Sequence, residues 1–480
     1  MSEQVSTAAA KSTDIADLRP VAVTPVIQSA DLAWTAEAIR DVQASQPAVF
    51  PQPVQASARS TSLDSLRGFA VLGILLMNIV GMGMYCGAYV DPTIIGGATG
   101  INLWTWIVMH IFVDGKMRCL FCMLFGAGVI LLTSRLKSSD SAADIYYRRV
   151  LWLILFGIAH AYLLWFGDIL YIYGLCSLIL FPFRKLPARK LFIIGTAIII
   201  LNSGLYIAEA YALRSTIQKG IIAEKIQKQR GVLTHDQQSD LNEYQEWREL
   251  MRPTAQELRM DAAQWRGNPA QVIKARAEIV FKYFHNVAYY STVNFDVWSA
   301  IFLGMALLKA GVLTGERNYN FYGKLLLLGY GIGIPLSSLT AWIIVNSGFN
   351  PVVQAFTGVA SDVSRVLVGI GHLSLVMLAV KLGWLKLLMR SLAGIGRTAL
   401  SNYILQSIIA AFIFTGYGFR LYDSLQRYQL YLVALAIWIL ELIATSLWLR
   451  RFQFGPLEWC WRSLTYWRRQ PMRLTTRVVA

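Results

Sequence analysis

The amino-acid sequence predicts an all-α fold: a polytopic membrane bundle of about ten transmembrane helices with the N- and C-termini in the cytoplasm. Hydrophobic residues make up 55% of the 480 residues and charged residues only 15%, whereas a soluble domain usually carries about 25% charged residues. The apolar residues lie in long uninterrupted runs. Short loops that are rich in lysine and arginine alternate with loops that are poor in them.

The helix count comes from apolar runs that are mostly near the ~20 residues needed to cross hydrocarbon. They lie at 67–86, 117–134, 148–166, 169–184, 190–211, 287–310, 321–346, 352–380, 398–418 and 428–450. A half-apolar stretch at 101–113 leads into the second run. The gap between the third and fourth runs is the shortest, since only Gly167 and Asp168 separate them.

Basic residues cluster after every second run, and by the positive-inside rule these loops are cytoplasmic. The residues are Arg135, Lys137, Arg148 and Arg149; Arg184, Lys185, Arg189 and Lys190; Lys309, Arg317 and Lys324; Lys381, Lys386, Arg390 and Arg397; and Arg450, Arg451, Arg462, Arg468, Arg469, Arg473 and Arg477. The net charge of +16 is therefore spread over short loops. Because nucleic-acid binding needs one basic patch or stripe, the pattern indicates a lipid bilayer as partner and no nucleic acid.

The same features divide the chain into five segments. Residues 1–57 show no signal-peptide pattern and are expected to be a disordered cytoplasmic tail. Residues 58–211 and 286–450 form two transmembrane halves. Residues 212–285 carry nearly balanced charge and predict an extracytoplasmic helical insertion that covers the bundle, with a mere spacer as the alternative. Residues 451–480 are aromatic and basic, and predict a cytoplasmic amphipathic tail.

Two ionisable residues near the third run form the predicted catalytic pair. His160 lies deep in the run, and Asp168 follows eight residues later at its outer end. A carboxylate near an imidazole orients the ring and raises its basicity, as a general base requires. Two structural alternatives stand beside this interpretation. His160 is also suited to a helix–helix hydrogen bond, and Asp168 to capping the next helix.

The start of the first two runs carries candidate ligand-binding residues. Asp64 and Arg67 lie at the cytoplasmic start of the first run, and Asn78 falls on the same helical face as Arg67 after about three turns. Lys116 and Arg118 begin the second run. Ionisable groups are costly in hydrocarbon, so each predicts a functional role. A snorkelling side chain or an interfacial anchor is the alternative.

The ninth run and the C-terminal segment supply the remaining candidates. Thr398, Asn402 and Gln406 recur every four residues and form one polar stripe, with Arg397 at its cytoplasmic end. The stripe either lines a ligand cavity or forms a polar seam between helices. Glu458 lies in the aromatic and basic segment that follows the tenth run, and is a further substrate-binding candidate.

Other polar residues are given structural roles. Cys119 and Cys122 form a C-x-x-C pair without the further ligands of a zinc site, so no metal is predicted and packing residues are expected. His110 and His372 are expected to be structural hydrogen-bonding residues. Asp296 and Glu441 also lie in apolar runs, and the sequence assigns neither of them a role.

Five ordered motifs resemble the YeiB family, bacterial inner-membrane proteins built on a domain of unknown function. They are LDSLRGFAVLGILLMNI, FVDGKMRCLFCMLFGAG, GIAHAYLLWFGDILYIYGL, GRTALSNYILQS and FGPLEWCWRSLTY. The resemblance covers residues from about 60 to about 467 and implies a multi-pass protein of the bacterial inner membrane. The family more distantly resembles transmembrane acyltransferases. In one such group a first-span arginine precedes a catalytic histidine; here Arg67 matches the arginine, but Asn78 stands at the histidine position and cannot act as a base.

Three functions are consistent with these residues. The first is an acyltransferase without a resident cofactor, in which Arg67 and Arg397 hold an anionic cytoplasmic donor such as acyl-coenzyme A. His160 then deprotonates an extracytoplasmic hydroxyl or amine, and Asn78 or Lys116 stabilises the developing negative charge. The second is a transporter or exporter of a small or lipidic metabolite. The third is a non-catalytic membrane partner of an envelope complex, whose protein partners the sequence does not name.

Overall fold

The computed structural model describes residues 61–134, 139–229, 231–284 and 287–474. The predicted tail at 1–57 lies outside these residues. The described chain folds into sixteen α-helices. They are α1 (Thr61–Gly83), α2 (Gly100–Phe112), α3 (Lys116–Thr133), α4 (Ser139–Leu163), α5 (Leu170–Ser177), α6 (Ala188–Lys228), α7 (His235–Met251), α8 (Ala255–Trp265), α9 (Pro269–Phe284), α10 (Val287–Lys309), α11 (Tyr319–Asn346), α12 (Pro351–Lys381), α13 (Lys386–Arg397), α14 (Ala399–Phe414), α15 (Arg427–Trp448) and α16 (Pro456–Thr465).

The predicted all-α class is confirmed, and within the described ranges six stretches are long and apolar enough to cross a membrane. These are α1, the stretch Gly100–Thr133 that contains α2 and α3, α6, α11, α12 and α15. Large apolar side chains remain exposed on the outer helices, among them Leu327 on α11 and Leu432 on α15. Apolar side chains exposed over so much of a surface indicate contact with lipid.

The structure refines two of the predicted apolar runs. The run at 169–184 forms two short helices, α5 and the 3-10 helix Phe181–Lys185. Since α5 has only eight residues, it is about 12 Å long and does not cross hydrocarbon alone. The half-apolar stretch and the second run are separate helices, because Gly115 adopts a left-handed conformation between them (φ +73°).

Helix α1 lies in the interior of the bundle and packs against α3, α13, α14 and α15. Glycines allow its closest approach to α13. A Cβ atom at Gly68 would lie 1.9 Å from the carbonyl oxygen of Leu392, and one at Gly396 would lie 1.9 Å from that of Asp64. The two backbones therefore touch directly, an arrangement that small residues permit between membrane helices.

The predicted insertion is helical and covers one end of the bundle. Helix α6 continues beyond residue 211 as far as Lys228, and α7, α8 and α9 follow. The Tyr85 hydroxyl, just after α1, donates to the carbonyl oxygen of Glu249 over 3.0 Å. Arg252 forms an ion pair with Asp91 at 3.1 Å. These contacts hold the insertion against the loops that follow the first helices of the bundle.

Candidate active site

His160 occupies the last turn of α4, and both of its ring nitrogens have partners. Nδ1 lies 2.7 Å from Oδ1 of Asp168, and Nε2 lies 2.8 Å from Oγ of Ser407. All three side chains are buried, with 1–3% of each residue exposed. Because a carboxylate only accepts hydrogen bonds, a neutral His160 carries its proton on Nδ1, and its Nε2 accepts the hydroxyl proton of Ser407.

Asp168 makes the contacts of both roles that the sequence offered as alternatives, orientation of His160 and capping of the next helix. Its Oδ1 holds His160, while its Oδ2 accepts a hydrogen bond from the backbone N–H of Tyr171 over 2.7 Å, at the first turn of α5. The same carboxylate therefore orients the imidazole and caps the following helix. Since this backbone hydrogen bond also fixes the carboxylate, Asp168 is a rigid positioning residue for His160.

Ser407 is the member of the group that sequence reasoning missed. It lies on α14, 247 residues from His160 along the chain. The stripe at Thr398, Asn402 and Gln406 follows a four-residue spacing, which does not include position 407. Only the packing of α14 beside α4 brings the hydroxyl to the imidazole.

A narrow recess of about 10 Å³, roughly the space of one water molecule, reaches Ser407 from the end of the bundle that the insertion covers. Its wall includes Trp165, which follows α4, Trp265 and Arg276 from the insertion, and Tyr422. Arg276 is only 1% exposed. The Nε of Arg276 and the Nε1 of Trp165 are buried N–H groups without an acceptor in the described part of the chain.

This arrangement places a serine hydroxyl beside an oriented base. A serine hydroxyl, a base within hydrogen-bond distance of it, and a carboxylate that orients the base are the geometric signature of an activated nucleophile. Buried N–H donors without an acceptor are suited to a developing negative charge. The described residues contain no group of three or more His, Cys, Asp or Glu side chains that could hold a metal ion.

The predicted stripe on α14 faces α15 through Asn402 and Gln406. Gln406 Nε2 donates to Glu441 over 3.0 Å, and the hydroxyl of Thr445 donates to Asn402 Oδ1 over 3.1 Å. Asn402 also donates to Thr398. These are the contacts of a polar seam, one of the two alternatives that the sequence left open. They give Oε2 of the unassigned Glu441 a partner, while its Oε1 is buried without one in the described part of the chain.

A cluster of three arginines, Arg67, Arg149 and Arg462, lies at the other end of the bundle. Burial, and then the positive charges of Arg149 and Arg67, lower the pKa of Arg462 to about 10, while Tyr466 and Glu458 act against them. Arg67 also donates to Asp64 over 2.6 Å. The arginine cluster is thus a region of excess positive charge, of the kind that binds anions.

Glu458 and Arg397 hold neighbouring backbone at this same end. Glu458 accepts hydrogen bonds from the backbone N–H of Leu400 over 2.6 Å and from the Ser401 hydroxyl over 2.5 Å, and thereby caps α14. Arg397 donates to the carbonyl oxygen of Gln453 over 3.3 Å. Both contacts are structural, so the substrate-binding role predicted for Glu458 stays a prediction.

The remaining candidates belong to other parts of the bundle. Arg118 donates to the buried Asp296, which also pairs with Arg365. Lys116 donates to the carbonyl oxygen of His110. Asn78 lies half-buried on α1 and makes no hydrogen bond within the described ranges. The structure therefore does not bring Lys116 or Arg118 into the group around His160.

The residues expected to be structural lie in helix contacts. His110 lies 3.0 Å from the Thr340 hydroxyl, and His372 lies 2.6 Å from that of Tyr330. Cys119 and Cys122 are fully buried.

Fold and site together define a helical membrane protein with a buried Asp–His–Ser group below a covered recess. Residues 307–468 match the family described as "Protein of unknown function (DUF418)". The resemblance to the YeiB family that the motifs carry is confirmed by this match and by the similar proteins below.

Three relatives are similar over almost their whole length. The chain is 28% identical to "Uncharacterized protein YeiB" of Escherichia coli (strain K12), over 85% of this chain and 96% of the relative. It is 25% identical to "Uncharacterized protein YxaH" of Bacillus subtilis (strain 168), over 89% of this chain and 99% of the relative. It is 24% identical to "Uncharacterized 39.9 kDa protein in amylase 3'region" of Bacillus acidopullulyticus, over 88% and 98%.

Proposed function

We propose that the protein is a membrane acyltransferase that moves an acyl group from a cytoplasmic donor to an extracytoplasmic acceptor. The observation that carries the proposal is the hydrogen-bonded order of Asp168, His160 and Ser407 beside the recess. This order provides an oriented base in a water-poor site, as acyl transfer to a hydroxyl or amine requires.

The proposed topology places the recess outside the cytoplasm. It has about ten spans in the bacterial inner membrane, with the tails at 1–57 and 451–480 in the cytoplasm and the insertion at 212–285 outside. Two features support it: the insertion covers the end of the bundle that holds Tyr85, and the arginine cluster lies at the opposite end. Basic residues concentrate on the cytoplasmic side of membrane proteins.

The arginine cluster is the proposed binding region for the anionic part of the donor, such as the phosphates of acyl-coenzyme A. Arginine is suited to phosphate because its planar guanidinium donates two parallel hydrogen bonds. Glu458 fixes the start of α14 at Leu400, and Ser407 follows seven residues later on the same helix. This separation is about 10 Å along the helix axis, which an extended thioester arm spans.

The acceptor side is the recess. Trp165, Trp265 and Tyr422 in its wall provide flat apolar surface, and Arg276 provides a positive charge. Because the recess has room for about one water-sized group, the proposed acceptor is a sugar or lipid headgroup that inserts only its hydroxyl. Aromatic faces pack against the rest of its ring or chain, and the charged donor fixes its orientation. His160 is the base that removes protons in this reaction.

The test uses the full-length protein in nanodiscs with radiolabelled acetyl-coenzyme A and an extract of bacterial envelope lipids and glycans. We expect label to enter the extract and free thiol to appear. His160→Gln removes the base but keeps a hydrogen-bonding side chain, and we expect a loss of about 100-fold or more. His110→Gln is the matched control, because His110 also contacts a hydroxyl in the bundle.

Full activity of His160→Gln would refute the assignment of the base. Uptake of a metabolite into proteoliposomes without covalent change would favour the transporter instead. A fixed partner in pull-down experiments, with no ligand in the recess and no transfer, would favour the non-catalytic membrane partner.

A further inference from the structure

We infer that Ser407 is a covalent nucleophile, which carries the acyl group as an ester between the donor and the acceptor. The inference rests on the proposed function and goes beyond it, since an acyltransferase can also pass the group directly from donor to acceptor. Its basis is the 2.8 Å contact between Ser407 Oγ and His160 Nε2, together with the hydrogen bond by which Asp168 holds the imidazole.

The hydroxyl of Ser407 makes its shorter contact outside its own helix, unlike the hydroxyls of Ser374 and Thr415. Serine and threonine within helices usually donate to the carbonyl oxygen four residues earlier. Ser374 does so over 2.8 Å and Thr415 over 2.7 Å. In Ser407 that distance, to Tyr403, is 3.4 Å, and the shorter contact is to the imidazole. The serine is therefore paired with the base instead of with its own helix.

Access and charge stabilisation come from the recess. Ser407 lines it, whereas His160 and Asp168 do not. An acceptor in the recess thus meets an ester on Ser407 before it meets the other two residues. The two buried N–H groups without acceptors, on Arg276 and Trp165, belong to residues of the same wall. We assign them as donors to the oxyanion that forms when a hydroxyl attacks a carbonyl carbon.

The reaction balances in two steps. In the first, Ser407 Oγ bonds to the carbonyl carbon of an acyl thioester, and its proton moves to Nε2 of His160. The tetrahedral oxyanion then collapses, and the leaving thiolate takes that proton. In the second step an acceptor hydroxyl attacks the seryl ester and gives its proton to His160. The Ser407 oxygen leaves and recovers the proton, so the acyl group ends on the acceptor.

A covalent intermediate also suits the separation of the two binding regions. The arginine cluster and the recess lie at opposite ends of the bundle. A seryl ester at mid-depth lets the donor leave before the acceptor arrives, so the site never has to hold both at once. Initial rates measured against both substrates should therefore follow ping-pong kinetics.

The experiment treats the full-length protein in nanodiscs with a fluorophosphonate probe, which reacts with activated serine hydroxyls and needs no acyl donor. We expect labelling of the wild type and at least a tenfold loss in Ser407→Ala and in His160→Gln. Ser374→Ala is the matched control, because Ser374 is fully buried on α12 and bonded to its own helix. It should label like the wild type.

Peptide mapping of the labelled wild type locates the modified residue without any variant. Trypsin cleaves after Arg397 and Arg420, so Ser407 and Ser401 share the peptide 398–420 and fragment spectra separate them. Modification of Ser407 supports the inference. An unlabelled wild type, or modification of another residue only, overturns it.

The acyl-transfer assay separates this inference from the proposed function. Full transfer by Ser407→Ala with a folded protein refutes the nucleophile and leaves the acyltransferase intact. Labelling at Ser407 without transfer from acetyl-coenzyme A supports the nucleophile and refutes that donor.

Discussion

Arg276 donates a hydrogen bond over 2.7 Å to the carbonyl oxygen of Leu163, the last residue of the helix that carries His160. A second hydrogen bond, over 3.1 Å, joins Arg276 to the hydroxyl of Tyr417. The insertion is thus tied to the end of α4 and to the loop that follows α14, the two helices that carry the candidate active site. It contributes a cation to the recess and also fixes the wall around that cation.

The first prediction concerns this arginine. Arg276→Gln should lower the turnover number for acyl transfer by about 100-fold, the usual result of removing one oxyanion donor. Labelling by the fluorophosphonate should fall as well, because its phosphonate oxygen occupies the place of the carbonyl oxyanion. Arg259→Gln is the control, since Arg259 is exposed on α8. Equal rates for the two variants would show that Arg276 only supports the fold.

The second prediction separates the two roles of Asp168. Asp168→Asn keeps an oxygen for the Tyr171 N–H, so the thermal midpoint should change little. Its amide nitrogen, however, is a donor opposite Nδ1, which forces the wrong tautomer on His160. Acyl transfer should then fall by about 100-fold or more. Asp168→Ala loses both contacts and should lower the midpoint clearly. If Asp168→Asn retains full transfer, Asp168 is only a helix cap.

The sequence predicted the parts of this molecule that depend on neighbouring residues. The apolar runs predicted the all-α class, because the length and composition of each membrane helix are visible in one continuous segment of sequence. The sequence pairs His160 with Asp168 because they lie only eight residues apart. Ser407 and Arg276 could not be found in this way, because only tertiary packing brings them to the C-terminal end of α4. The sequence offers Asn78 or Lys116 for charge stabilisation. The position of Lys116 depends on the break at Gly115, and its side chain bonds to the carbonyl oxygen of His110 instead.

The third prediction concerns pH and the loop that follows α14. Asp423 accepts a hydrogen bond from the Tyr85 N–H over 2.8 Å. Burial raises the pKa of Asp423 to about 6, with a further contribution from the negative charge of Asp261. The folded state thus holds a proton that the unfolded state has released. This group's contribution to stability is present below its usual pKa, near 4, and is lost as the pH rises to about 6.

Thermal midpoints between about pH 2.5 and 7 test this sign. The advantage of the wild type over Asp423→Asn should shrink as the pH rises through this window. Glu257 provides the opposite sign, because its hydrogen bonds to Thr254 lower its pKa. The advantage of the wild type over Glu257→Gln should therefore shrink as the pH falls. Parallel curves for the two pairs would contradict the assignment for Asp423.

The last prediction uses two glycines on the same helix, α13. At Gly396 an added Cβ would lie 1.9 Å from the carbonyl oxygen of Asp64, so α1 and α13 must separate to admit it. At Gly394 its nearest neighbours would be ordinary contacts, at 3.5 Å from Leu449 and 3.6 Å from Thr445. Gly396→Ala should therefore lower the free energy of unfolding by about 2 kcal/mol or more. Gly394→Ala should be neutral or slightly stabilising, because alanine favours the helix.

Kinetics of the same two variants link this contact to the donor. Displacement of α1 at Asp64 moves Arg67 in the arginine cluster, so Gly396→Ala should raise KM for acetyl-coenzyme A. The turnover number should change less, because His160 and Ser407 lie on α4 and α14. Fluorophosphonate labelling of Ser407 should continue, since that probe needs no donor site. A variant that loses labelling and donor binding together would show instead that the α1–α13 contact supports the whole bundle.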